Sequence, residues 1–319
     1  MKNILITGAG GRLGSKVAEH LAGLGFSLTL LTSKLPENRL INSRYILVDW
    51  DNLNIPPLMN IDVVIHLAHQ TSSYEARKNV ERDIQSNLIA TVRIIESLRN
   101  SVKPPHFIYM GSLTEYGSDN INPINEINQQ VQPETFYDCS KLATELYLKQ
   151  FQNEGRLKNL TLIRLGNLYG FVEGFKKRHR GFFDQAIYSA FKGEKVVCFG
   201  DGGFVRDFVH VNDVLNALVG FIEAPGFKSN GLFNLASGQG TTLKVALKSI
   251  DSLLLASGQT PMEIEFRDFP DDAYRIERRN HIADISRIKE AIEWSPEISL
   301  SEGIALSIHY YLNQFKATN

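Results

Sequence analysis

The stretch NILITGAGGRLGSKVAEHLAGLG (3–25) constrains the chain more than any other part of it. NILIT (3–7) is apolar almost throughout and does not alternate, the pattern of a strand covered on both faces. Gly8, Gly11 and Gly14 follow at G-x-x-G-x-x-G spacing, and an amphipathic helix runs from about Arg12 to Leu24, closed by Gly25. A strand, a glycine-rich turn and a helix start form an anion site. Glycine lets backbone N–H groups approach a pyrophosphate, and the helix dipole favours its charge. A glycine triplet can also serve a tight turn for backbone reasons alone. Its position after the first strand and at the head of a helix is the context that favours a dinucleotide. Gly8, Gly11, Arg12, Leu13 and Gly14 are therefore candidate cofactor contacts.

Further apolar runs repeat the first: SLTLL (27–31), YILV (45–48), VVIHL (63–67), FIYM (107–110) and LTLIR (160–164). A long helix is predicted over about 80–99, with Ile84, Leu88, Thr91, Ile95 and Leu98 on one stripe, and another over about 136–153. Strand–helix alternation predicts an α/β fold, a doubly wound parallel (Rossmann) sheet. After a charged loop, FVEGFKKRHR (171–180), the pattern loosens into short strands at 196–200 and 206–211 and helices at about 213–223, 242–256, 284–292 and 300–313. The expected division is 1–170 for the dinucleotide and catalytic residues. Residues 171–319 form a smaller C-terminal α+β substrate-binding lobe, with 206–240 returning to the sheet.

Composition removes several function classes. A net charge of −1 over 319 residues provides no electrostatic footprint for nucleic acid or an anionic membrane. No run is long and apolar enough to span a bilayer, and the N-terminus reads as a buried strand and not a signal peptide. Two cysteines, Cys139 and Cys198, make neither a disulfide framework nor a metal set, so a reducing cytoplasm is the expected setting.

Which dinucleotide binds is read at the end of the second strand. A ribose-binding carboxylate belongs there, but the chain reads LLTSK, with Ser33 and Lys34. Hydroxyls and an ammonium suit a 2′-phosphate, and Arg12 could add a second cation. The expectation is NADP(H), with NAD(H) as the alternative. Asp49, in VDWDN, is placed to accept from an adenine amino group or else to cap its own turn, and Trp50 could pack on the ring.

Tyr137 and Lys141, in YDCSK, share a helix face at i, i+4. An ammonium beside a phenol favours phenolate and draws its pKa from about 10 toward neutrality. Such a tyrosine can protonate a carbonyl oxygen or take a proton from an alcohol. Ser112, in MGS after the fifth strand, offers a hydroxyl to the same oxygen.

TGAGGRLG, HLA (66–68), GSLTEYG (111–117), YDCSK, RLGNLYG (164–170) and RDFVHVND (206–213) occur in that order. Together they resemble the extended short-chain dehydrogenase/reductase family, in its nucleotide-sugar epimerase, dehydratase and reductase branch. The likeness extends to ADISRIKEAIEWSPEISLSEGI (283–304) and so covers nearly the whole chain. The resemblance implies that Lys141 also holds the nicotinamide ribose and that the backbone of Leu67, Ala68 and His69 runs beside the cofactor. It makes His66 a packed strand-end residue and Asn87 a structural tie. For the substrate, a nucleotide-diphosphate sugar, it implies Asn167 and Arg206 at the phosphates and Arg279 or its neighbour Arg278 closing over them. Val196 and its neighbours lie at the base, with Thr71, Ser112 and Thr114 within reach of the sugar. It implies a homodimer through the two long helices. Arg164, at the end of a buried strand, is expected to be structural.

Departures from the family narrow the chemistry. The 4,6-dehydratases carry Asp-Glu after the catalytic hydroxyl, where this chain has Leu113 and Thr114, with Glu115 one step along. The Cys and His of the 3,5-epimerases have no counterpart, Cys139 lying on the wrong stretch and His179 in the charged loop. Phe171 replaces the family's proline after Asn-x-Tyr-Gly. Two reactions survive: NADPH-dependent reduction of a 4-keto sugar nucleotide, which the missing acid favours, and C4 epimerisation with retained NAD+. A non-catalytic NADP(H) sensor is the third reading, set back by the presence of Ser112, Tyr137 and Lys141 together.

Overall fold

The computed structural model of the chain describes residues 2–171 and 181–318. Six early strands are β1 (Asn3–Thr7), β2 (Ser27–Thr32), β3 (Ser43–Leu47), β4 (Val63–His66), β5 (His106–Ser112) and β6 (Asn159–Leu165). A late strand, Gly231–Leu235, joins them, so the seven-stranded sheet begins with that strand and continues β6-β5-β4-β1-β2-β3, parallel throughout. Alternate residues feed opposite cores, which is why the strands read as unbroken apolar runs. Ile4, Ile6, Ile65, Ile108 and Ile163 face one cluster with Val17 and Leu21 of α1 (Arg12–Gly23). Leu5, Val64, Phe107, Tyr109 and Leu162 face the other. Strand order reverses between β1 and β4, and the crevice at the carboxyl ends of those strands is where such sheets bind ligands.

The helix expected over 80–99 is broken. Short helices α2 (Ser73–Lys78) and α3 (Val80–Ile84) lead into a π turn over Gln85–Ile89 before α4 (Ala90–Ser97). A π turn inserts an extra residue and slips the helical phase. The buried positions become Asp83, Asn87, Thr91, Ile94, Ile95 and Leu98, while Ile84 turns outward at 42% exposure. Polar side chains thereby face the crevice side of this helix. The helix α5 (Phe136–Asn153) is continuous and capped at Thr135, whose hydroxyl accepts from the Asp138 N–H.

The remaining elements build the second lobe. Strands β7 (Asn167–Tyr169), β8 (Val196–Phe199) and β9 (Val205–His210) are followed by the late sheet strand, β10, then β11 (Gly240–Thr242) and β12 (Ile264–Arg267). They form two small sheets, β11-β9-β7 and β12-β8. Helices α6 (Phe182–Phe191), α7 (Val211–Glu223), α8 (Gly226–Ser229), α9 (Leu243–Ala256), α10 (Ser286–Ile292) and α11 (Leu300–Thr318) complete the chain. α7 packs on the main sheet through Val214, Leu218 and Phe221, whereas Phe183, Ile187, Leu247, Ile250, Ile304 and Ile308 form the lobe's own core. Of the expected loop 171–180, Phe171 is buried, and the rest, with His179, lies outside the described residues.

Candidate active site

The glycine turn is closed tightly enough to exclude any side chain. Gly8 has φ +67, and a Cβ on it would meet the Ala68 nitrogen at 2.8 Å. A Cβ on Gly14 would lie 2.1 Å from the Gly8 carbonyl oxygen. Gly11 caps α1 with no side-chain acceptor, and the first turn carries no acid, so its N–H groups face outward to an anion. Leu13 is half-buried and packs on the core behind the turn. Beside the turn lies a cavity of about 490 Å³ lined by Gly8, Gly11, Trp50, Leu67, Ala68 and His69, together with residues of 70–86. A backbone cradle, an aromatic wall and a helix N-terminus suit a dinucleotide.

The side chains expected at the adenosine end are disposed differently from one another. Ser33 and Lys34 are exposed just past β2, where Thr32 Oγ1 donates to the Lys34 carbonyl at 2.9 Å. Arg12 turns away from them. Its Nη2 lies 2.9 Å from Oδ2 of the buried Asp184 on α6, and its guanidinium sits 4.5 Å over the Phe171 ring. The expected second cation for a 2′-phosphate is thus bound to the other lobe, because a buried carboxylate holds a guanidinium more strongly than open solvent does. Asp49 also departs from its adenine role. Its Oδ1 accepts the Asp51 and Asn52 N–H groups at 3.0 and 3.4 Å, and its Oδ2 accepts Asn52 Nδ2 at 2.5 Å. It caps its own turn while Trp50 faces the cavity.

Residues 66–69 close β4 beside α4, where His66 meets Thr91. His66 is buried, with Nδ1 2.7 Å from Thr7 Oγ1 and Nε2 2.8 Å from Thr91 Oγ1. Burial, aided by Lys141, pulls its pKa down to about 3. It is a packed, neutral residue. Thr7 Oγ1 also accepts the N–H groups of Leu67 and Ala68 at 3.1 Å each. His69 packs edge-on to Tyr109, lines the cavity, and has a buried Nε2 without a protein partner. Asn87 ties the region together, accepting the Gln70 N–H at 3.0 Å and donating to Ser140 Oγ at 2.8 Å.

Ser112, Tyr137 and Lys141 converge at the ends of β5 and α5. Ser112 Oγ is 2.8 Å from Thr114 Oγ1, which donates to Asp138 Oδ1 at 2.6 Å. Lys141 is 2% exposed, donates to the Met110 carbonyl at 2.8 Å, and stands 5.8 Å from the centre of the Tyr137 ring. The expected drop in the phenol pKa does not occur among these side chains. Burial first, then the carboxyls of Glu115 and Asp138, push Tyr137 above its ordinary value, with a Ser112 hydrogen bond opposing. Burial likewise pulls Lys141 down to about 7 against the pull of Glu115, Asp83 and Glu145. Asp138 and Glu115 were missed as participants by sequence reasoning. The Thr135/Asp138 capping box was a legible sign that Asp138 faces back toward its own helix start.

At the substrate side, Arg206 and Arg279 come from β9 and from a segment 73 residues later. Arg206 is 4% exposed and donates to the carbonyls of Val205, Arg279 and Glu277, the first at 3.1 Å and the last at 2.7 Å. The expected direct diphosphate ligand is therefore a support for the 275–279 segment as it stands. Burial, then neighbouring Arg279, pulls its pKa down to about 9. Arg279 donates to the Ile276 carbonyl at 2.9 Å, and its Nε is buried without a partner. The buried Arg206 and the mostly covered Arg279 repel each other, with Glu277 4.0 Å from Arg279, an excess of positive charge that fits an anion. Arg278 instead lies over Phe269 at 4.3 Å. Asn167 begins β7, half-buried. The Val196 side chain packs into the lobe core, which leaves only its backbone for a ligand. Thr71 is exposed, and Ser72 caps α2 by accepting the Glu75 N–H at 3.3 Å.

Among the described residues no helix is long and apolar enough to cross a membrane, and no group of three or more His, Cys, Asp or Glu side chains is placed to hold a metal. A model of the NAD dependent epimerase/dehydratase family matches residues 4–236. UDP-glucose 4-epimerase of Mycolicibacterium smegmatis is 29% identical, with 97% of this chain aligned to 98% of that protein. A dTDP-4-dehydro-6-deoxyglucose reductase of Escherichia coli is 28% identical over 77% of this chain and 73% of its own. The crystal structure of UDP-glucose 4-epimerase with UDP-glucose from Thermotoga maritima superposes with a TM-score of 0.85 at 27% identity, covering 98% of this chain and 99% of that one.

Proposed function

The chain belongs to the NAD dependent epimerase/dehydratase family, and from that premise we propose that it is an NAD-dependent 4-epimerase of a UDP-hexose. The observation that carries this reading is the end-to-end likeness to UDP-glucose 4-epimerases, in sequence and in backbone. It supports the epimerase over the reductase expectation, whose charge argument also weakens once Arg12 is bound to Asp184. NAD is accordingly proposed over NADP. When bound, the oxidised dinucleotide supplies a hydride acceptor and a positive charge.

The chain's own groups do the rest. Tyr137 Oη takes the proton of the C4 hydroxyl and later returns it, and Ser112 Oγ holds that oxygen. The raised phenol pKa makes the neutral tyrosine the resting form, so the charge of the oxidised cofactor is needed before proton removal is efficient. Lys141 Nζ holds the ribose side and adds positive charge in its protonated fraction. Arg279, steadied by Arg206 on the neighbouring carbonyls, anchors the diphosphate while the hexose presents each face in turn. Two copies are proposed to pair through α5 and the 80–97 helices, where Ile84, Phe136, Leu146 and Tyr147 are exposed apolar residues. Sedimentation as a monomer at micromolar concentration sinks that pairing.

Incubation with UDP-galactose and NAD+, followed by NMR of the sugar anomeric protons, is the test. Interconversion with UDP-glucose and no net nucleotide reduction supports the epimerase. Stoichiometric NADPH oxidation by a dTDP-4-keto-6-deoxy sugar, without any epimerisation, moves the assignment to the reductase reading that the Escherichia coli relative favours.

A further inference from the structure

Under the strand end that carries Ser112 lies a buried charge cluster that the reaction above does not use. Glu115 comes from a 3-10 turn over Leu113–Tyr116, Glu145 from α5 and Arg164 from β6. Both carboxyl side chains are 0% exposed and the guanidinium 3%. Arg164 grips Glu145 in a fork, with Nε to Oε1 at 3.1 Å and Nη2 to Oε2 at 2.8 Å, and its Nε lies 3.4 Å from Glu115 Oε2. One guanidinium thus serves two carboxyls where water is excluded, and the buried Lys141 is the other cation that faces them.

The contacts of Glu115 divide between its two oxygens. Oε1 accepts the Ser112 N–H at 2.7 Å. Oε2 is buried and receives no N–H or O–H. The Glu145 carboxyl is its neighbour across the shared Arg164 guanidinium. Burial and then Glu145 raise the Glu115 pKa well above the carboxylate range, against Arg164. The pair also crowds Gly111, where a Cβ would meet Glu115 Oε1 at 2.6 Å and Glu145 Oε1 at 3.4 Å. Other titratable groups face the cluster: Tyr109 from β5, Tyr116 against Arg164 at 4.4 Å, and Tyr137 and Lys141 from α5.

We infer that Glu115 is a positioning residue: its carboxyl, held beneath the strand end by Arg164, clamps the Ser112 N–H and so fixes the hydroxyl that faces Tyr137. The inference deepens the proposed function and rests on Ser112 and Tyr137 acting on one sugar oxygen.

Three variants test it, with purified NAD+-loaded protein. Glu115→Leu is expected to lower kcat for UDP-galactose at least ~30-fold with KM within about threefold, because the effect is on the reacting oxygen and not on binding. Glu115→Gln, whose amide can donate to Glu145 while its oxygen accepts the Ser112 N–H, is expected to recover most of that loss. In a Ser112→Ala background Glu115→Leu is expected to cost less than about threefold more, since the path runs through Ser112. Parental kcat in Glu115→Leu, or an undiminished cost in the Ser112→Ala background, overturns the positioning role. A Glu115→Gln variant as slow as Glu115→Leu overturns the clamp, since the amide oxygen can still accept the Ser112 N–H. Should Glu115→Leu not fold, Gly111→Ala displaces the same carboxyl with its charge intact and is expected to show the same kcat loss.

A second readout needs no substrate. The Tyr137 ionisation midpoint, taken as the difference in absorbance between each protein and its Tyr137→Phe counterpart, is expected to lie roughly half a unit or more higher in Glu115→Leu than in Glu115→Gln, because both lack the Glu115 charge and only the first loosens the Ser112 hydrogen bond. If the parent turns over no UDP-hexose, the functional reading fails by itself. Equal midpoints in Glu115→Leu and Glu115→Gln then overturn the role of Glu115 separately.

Discussion

The two ends of the site are built from different material. The cofactor end is backbone: Gly8 and Gly14 pack so closely that a Cβ on either would meet main-chain atoms at 2.8 and 2.1 Å. The substrate end is side chain. Its positive charge comes from Arg206 and Arg279, from two separate elements, and one of them is occupied in holding the segment that carries the other. A backbone cradle is specified by a few adjacent residues and tolerates no substitution. A side-chain anchor depends on which of several carbonyls and carboxylates each guanidinium meets after the chain has folded.

The largest effect is expected where the two ends meet. Tyr137→Phe should reduce epimerase kcat by roughly 10²- to 10⁴-fold with NAD+ affinity unchanged, measured by stopped assay and calorimetry. Turnover within tenfold of the parent removes Tyr137 from the proton path. Next is the backbone end. Gly14→Val places side-chain atoms on the Gly8 carbonyl and is expected to weaken NAD+ binding by ~100-fold or more, with a lowered melting temperature. Unaltered NAD+ affinity would show that the turn is not the cradle.

The side-chain end separates two kinds of loss. Arg279→Leu is expected to weaken UDP binding about 10- to 50-fold with stability preserved. Arg206→Leu leaves the Val205, Glu277 and Arg279 carbonyls without their buried donor and is expected to lower the melting temperature by several degrees as well. Equal melting temperatures for the two variants erase the distinction between anchor and support.

Acid offers a smaller test, common to both halves. His66 and His281 are held to a pKa of about 3, and His106 and His210 to about 4, in each case chiefly by burial. These groups are neutral in the fold and take up protons near pH 6.5 when unfolded. Their contribution is complete above that pH and is lost as pH falls toward 4 and then 3. Urea midpoints from pH 7 to 4.5 should fall, and less steeply in His66→Gln. The smallest effect is at Lys34, where Lys34→Ala is expected to leave NAD+ affinity within about twofold. A larger loss returns Lys34 to the cofactor.

Much of this was legible because it is local. Apolar runs without alternation mark a parallel sheet covered on both faces, and each of the first six strands lies within a few residues of its run. The candidates Ser112, Tyr137 and Lys141 could be named because short motifs sit at strand ends and helix starts whose geometry they help to make. The helix over 80–99 was misjudged because a π turn is a phase slip that hydrophobic spacing does not display. β10 was anticipated only as a return to the sheet, since its partner β6 lies some 70 residues earlier in the chain.

What the sequence by itself determined is the order of the elements, the tight glycine turn and the place of Ser112, Tyr137 and Lys141 at a strand end and a helix start, for each depends on neighbours a few positions away. The tertiary structure alone decided where the long charged side chains went. Arg12 left the ribose for Asp184, Arg206 took backbone carbonyls, and Glu115 dropped beneath Ser112 beside Glu145 and Arg164. The reason is physical. A guanidinium or carboxyl reaches several ångströms from its backbone, and in a dry interior its partner is whichever opposite charge or carbonyl the packing of distant segments leaves closest.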